Sequence, residues 1–102
     1  MSDKNYYIKV DRRTILEFEG DLAMAVWYSA LRDYARRFKP DRLGFTRVAS
    51  SVFKQDFGYS KLKVWRLNKK LEELGYIIVD RVARGGRRYI GFKIKPKNIV
   101  VK

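Results

Sequence analysis

The chain has 102 residues, 46 % of them hydrophobic, enough for one domain that buries a core without disulfide or metal staples. It carries 24 Lys and Arg against 11 Asp and Glu, a formal charge of +13, with no cysteine and no histidine. Thiol nucleophiles, disulfides, thiolate zinc sites and imidazole bases or ligands are thereby excluded, and the cation excess points to a polyanionic partner.

Nothing in the sequence assembles a catalytic constellation, a cofactor motif or a metal-ligand set, so the expectation is a non-enzymatic binding protein with no cofactor and no metal. No apolar run approaches the roughly 18 residues of a membrane span, and Met1-Ser2-Asp3-Lys4-Asn5 leads into no apolar signal region. A soluble, cytoplasmic protein without a membrane partner is expected. The charge is unevenly spread: residues 1–38 hold seven basic and six acidic residues, residues 39–102 hold 17 and five. The second stretch interleaves its cations with apolar residues at regular spacing, which predicts a folded anion-binding surface and not a basic tail.

In chain order, residues 5–18 are rich in β-branched and aromatic types and partly alternate, which reads as one or two short strands turning near Asp11-Arg12. Asp21 offers an N-cap for a helix over 21–38, free of glycine and proline until Lys39-Pro40. Its first half is apolar nearly all round. Either the rest of the chain covers it, or Met24, Trp27, Tyr28 and Leu31 are left for a partner subunit; twofold symmetry matching a palindromic site favours a homodimer. Thr46 is read as the cap of a second helix over 46–55, with Val48, Ala49 and Val52 as its apolar stripe and Gly58 as its breaker.

Ser60 caps a third helix over 60–74, where Val64, Leu67, Leu71 and Leu74 line one side and Gly75 ends it. Residues 76–95 read as a hairpin across Gly85-Gly86, a pair that tolerates the positive φ of a two-residue primed turn. If Arg84 opposes Arg87, then Ile77 opposes Ile94, Val79 opposes Phe92 and Arg81 opposes Ile90, giving one nearly apolar face and a cationic tip.

The stretch T-R-V-A-S-S-V-F-K-Q-D-F-G-Y-S-K-L-K-V-W-R-L-N-K-K-L-E-E-L-G-Y-I, from Thr46 to Ile77, followed by the basic hairpin, resembles a winged helix-turn-helix domain. With the hairpin, the likeness covers about half the chain. Upstream, A-V-W-Y-S-A-L-R-D-Y-A-R-R-F is similar to the first helix of winged-helix domains in phage and plasmid replication initiators and in multiple-antibiotic-resistance-type regulators. Small cysteine-free members also occur in archaeal viruses. The link at residues 54–59 is longer than in the tightest helix-turn-helix. The resemblance implies a single α+β domain spanning 1–102: N-terminal strands, three helices and a C-terminal β-hairpin wing.

At about 100° per residue, the face of the third helix opposite its apolar side centres on Leu62, Trp65, Arg66, Lys69 and Glu73, with Lys61, Lys63 and Lys70 on its flanks. A helix fits the major groove of B-DNA, where Arg and Lys donate to guanine edges or neutralise phosphate. Lys61, Lys63, Arg66 and Lys69 are therefore the candidate base readers, with Lys70 beside them. Tyr59 and Ser60 suit phosphate at the helix start. Arg47, with Ser50 and Ser51, is placed on phosphate from the second helix; Arg84, Arg87 and Arg88 at the hairpin tip suit phosphates or the minor groove. Trp65 is assigned to packing against the second helix or the linker. The function expected is double-stranded DNA binding by a transcriptional regulator, with a replication-initiator module or an RNA-binding protein as alternatives. RNA readers, however, display stacking aromatics on sheets or loops, and here most aromatics fall in the apolar segments.

Overall fold

The computed structural model describes residues 9–80 and 89–95. They form four helices and a three-stranded antiparallel sheet in one α+β domain: α1 (Arg12–Glu17), α2 (Leu22–Arg37), β1 (Thr46–Ala49), α3 (Ser50–Phe57), α4 (Lys61–Glu73), β2 (Ile77–Val79) and β3 (Tyr89–Ile94), with strand order β1-β3-β2.

The strands expected before residue 18 are replaced by α1 over the described part of that segment. Asp11 Oδ1 accepts the backbone N–H of Thr14 at 2.8 Å, satisfying a donor that a helix start otherwise leaves open. The hydrogen bonds from Thr14 hold the Asp11 carboxyl below its ordinary value of 3.8. Glu19 and Gly20 then turn with φ of 55° and 85°, and the Gly20 N–H reaches back to the Ile15 carbonyl at 3.0 Å. Gly20 therefore belongs to the end of one helix as well as to the approach of the next, because the left-handed conformation costs glycine least.

α2 matches its expected span, with Asp21 Oδ1 accepting the Met24 N–H at 3.2 Å. It is the axis of the core, and the all-round apolar half is covered by this chain itself. Met24, Trp27, Tyr28 and Leu31 are all buried, which corrects their assignment to a subunit interface. Trp27 is ringed by Phe53, Phe57 and Tyr59, with centroids 5.4, 5.5 and 5.6 Å away, distances typical of favourable aromatic pairs.

Thr46 does not cap a helix. Thr46 and Val48 point into the core while Arg47 and Ala49 alternate with them, and the segment pairs with β3 through Thr46↔Phe92 and Val48↔Ile90. α3 starts only at Ser50, with no side-chain cap, and ends at Gly58 in the left-handed region. The expected hairpin register holds where it is described, with Ile77↔Ile94 and Val79↔Phe92. Arg81 and the Gly85-Gly86 turn lie outside the described residues.

Candidate nucleic-acid interface

α4 is fixed at both ends and along one side. Ser60 Oγ accepts the Lys63 N–H at 3.1 Å, and after the helix the Tyr76 N–H bonds the Leu71 carbonyl across Gly75 at 3.0 Å, with Gly75 at φ 88°, as a Schellman-type ending requires. Val64, Asn68 and Leu71 are buried, Leu67 is half-buried, and Leu74, expected to complete the apolar side, is 53 % exposed. The inward stripe thus runs through a polar residue. Asn68 Oδ1 accepts the indole N–H of Trp27 at 2.7 Å, tying α4 to α2. The signal for this was present in the sequence, since Asn68 stands four residues after Val64, one turn along the same face.

With that side pinned, Lys61, Leu62, Lys63, Trp65, Arg66, Lys69, Lys70 and Glu73 are all exposed. Five cations therefore share one surface about 20 Å long, taking 1.5 Å per residue over the 13 residues of α4. Of the two acids near its end, Glu72 turns inward, its Oε2 accepting the Val79 N–H at 3.2 Å. Lys63 Nζ lies 4.4 Å from the Tyr59 ring centre and Lys69 Nζ 5.1 Å from that of Trp65, within cation–π range. Lys54 on α3 is exposed as well.

Trp65 is not packed away as expected: it is 48 % exposed, and Leu62 is 55 % exposed. Tyr59 is half-buried, stacking on Phe57 at 5.4 Å, and the Ser60 hydroxyl serves as the cap. Ser51 is exposed and Ser50 half-buried at the start of α3.

Arg47 lies elsewhere. Its guanidinium pairs with Asp41 at 2.9 Å and with Asp80, all three side chains being largely buried, so Arg47 is an internal cross-link between the loop before β1 and the end of β2 and not a phosphate ligand. Burial opposes its charge, but the hydrogen bonds to Asp80 and Asp41 outweigh this and raise its pKa. The Asp41 carboxyl is held below its ordinary 3.8, first by the Phe45 N–H, then against the cost of burial by the Leu43 N–H and Arg47. Gly91, opposite Arg47 in the ladder, makes the space: a Cβ there would stand 2.9 Å from Arg47 Nη1 and 3.1 Å from Asp80 Cβ. A glycine inside a strand pattern is the sequence sign of such a close approach.

Arg84, Arg87 and Arg88 lie outside the described residues. An open groove of about 470 Å³ is lined by Lys9, Asp11, Thr14, Ser29, Arg32 and Arg36 among others, and by no residue of α4. Among the described residues there is no group of three or more Asp and Glu that could hold a metal ion, and no helix is long and apolar enough to cross a membrane. No family model, curated protein or solved structure matches this chain.

Proposed function

We propose that the protein binds double-stranded DNA as a winged-helix transcriptional regulator, laying α4 in the major groove. The observation that carries this reading is the division of α4 into two faces. One side is pinned to the core by Val64, Asn68 and Leu71, while Arg66 and Lys69 on the opposite side and Lys61, Lys63 and Lys70 on the flanks are presented to solvent. A rigidly held cationic helix meets the major groove, about 12 Å wide, without rearrangement. The order α2, β1, α3, α4 and then an antiparallel strand pair is compatible with a winged helix. On this reading Arg84, Arg87 and Arg88, on the segment joining β2 to β3, reach backbone phosphates or the adjacent minor groove.

The test is a gel-shift competition between duplex DNA, duplex RNA and single strands, followed by selection of bound duplexes from a randomised pool. The expected result is preference for duplex DNA and recovery of a short shared sequence, each mismatch in it costing about 1–3 kcal/mol. Preference for RNA, or duplex binding with no selected sequence, overturns the regulator reading.

A further inference from the structure

We propose that Leu62 and Trp65 read thymine through its C5 methyl group, which makes them specificity-determining residues of the α4 surface; this rests on the DNA reading above. The two side chains are one helical turn apart, 55 % and 48 % exposed, and lie among five cations. An ordinary solvated helix face is polar, and the chain's other tryptophan, Trp27, is 1 % exposed and fully enclosed by its own core. The Lys69 ammonium, one turn further along, sits 5.1 Å from the centre of the Trp65 ring, within cation–π range.

The chemistry of the groove decides what such a pair meets. Base edges in the major groove are hydrogen-bond donors and acceptors, with one apolar exception, the thymine methyl. A helix carrying Leu and Trp at the centre of its groove-facing side desolvates those polar edges without return unless methyl groups stand opposite. The cations are arranged to suit: Lys61, Lys63 and Lys70 flank the apolar pair, at the positions where a groove-bound helix meets the two phosphate backbones, and Arg66 stands beside it for a guanine edge. Lys61 and Lys63 thereby become phosphate ligands. A second copy of this chain is a poor occupant of the same patch, because its charge of +13 would face five cations.

The experiment uses the full chain and the duplex it selects from a random pool, remade with deoxyuridine replacing thymidine at one position at a time, which removes only the methyl. Wild type is expected to lose about fourfold in affinity at one or two positions, the worth of one buried methyl-sized group, and to be unaffected at the others. The Leu62→Ala, Trp65→Ala double variant should bind the thymine duplex more weakly and show no further loss with uracil. Both residues are exposed, so its melting temperature should stay close to that of wild type; were it not to fold, the wild-type series alone decides. Wild-type binding indifferent to uracil at every position overturns the proposal, as does a uracil penalty that persists in the double variant. Failure to bind any duplex appears before uracil is introduced and sinks the DNA reading first, and the thymine reading with it.

Discussion

Asn68 and Arg47 show how a polar side chain inside this protein is kept by its partners. The indole N–H of Trp27 has the Asn68 Oδ1 as its acceptor at 2.7 Å, while the buried Asn68 Nδ2 has none among the described residues. Asn68→Ala leaves a buried donor unpaired, which costs about 1–3 kcal/mol; chemical denaturation should register the loss as a lower midpoint at unchanged slope. Arg47 makes a sharper distinction between structure and binding. The Asp80 side chain is only 5 % exposed beside it, so Arg47→Ala takes a charged hydrogen-bond donor away from a poorly solvated carboxylate and should cost about 1–3 kcal/mol. The exposed Arg36–Asp33 pair is worth about 0–1 kcal/mol at most. A phosphate ligand would behave in the opposite way, leaving the melting temperature alone while weakening DNA binding, so thermal melts of Arg47→Ala test the structural role directly. Gly91→Ala should reproduce part of the same loss by crowding the guanidinium from the other strand.

At the scale of elements, stability depends on caps and on the loop before β1. Asp21→Ala removes the acceptor for the Met24 N–H and should cost about 0.5–2 kcal/mol. The Asp41 and Asp11 carboxyls have folded-state pKa values below the ordinary 3.8. A depressed carboxyl stabilises the fold fully above its unfolded value, and that stability is lost as pH falls through the folded one. Thermal stability should therefore decline on acidification below about pH 4, and Asp41→Asn should flatten that decline. Elements with local punctuation were legible in the sequence: Asp21 and Ser60 as caps, Pro40 and Gly75 beyond the ends of α2 and α4, and the pairing of Ile77 with Ile94 and Val79 with Phe92. α1 and β1 were not. α1 has only six residues, set in a longer stretch that is rich in β-branched and aromatic types, and is held by Asp11 and by packing against α2. β1 is a strand because β3, over 40 residues later, pairs with it, and no local pattern reports a partner that distant. On α4 the cationic face was legible because helical spacing fixes it; the role of Arg47 depended on Asp80 and Gly91 arriving from other elements.

For the whole molecule, the proposed DNA binding raises the question of which of the 24 basic residues would meet phosphate. A net charge of +13 raises the encounter rate with any nucleic acid, so affinity at one salt concentration says little about where contact is made. The salt dependence says more, because each phosphate neutralised releases a share of its condensed counterions. With about five phosphates covered by one protein molecule, log K should fall against log salt with a slope of about −4 to −5. Location then follows from single variants. Lys61→Ala and Lys70→Ala, on the exposed face of α4, should each reduce the slope by about one and weaken all duplexes alike. Arg36→Ala and Arg37→Ala, on α2 and paired with Asp33, should leave it unchanged. Titrations at several salt concentrations give both quantities. A wild-type slope near zero would remove the polyanion altogether, whereas equal reductions from the α2 and α4 variants would move the footprint off α4 and spread it over the surface as a whole.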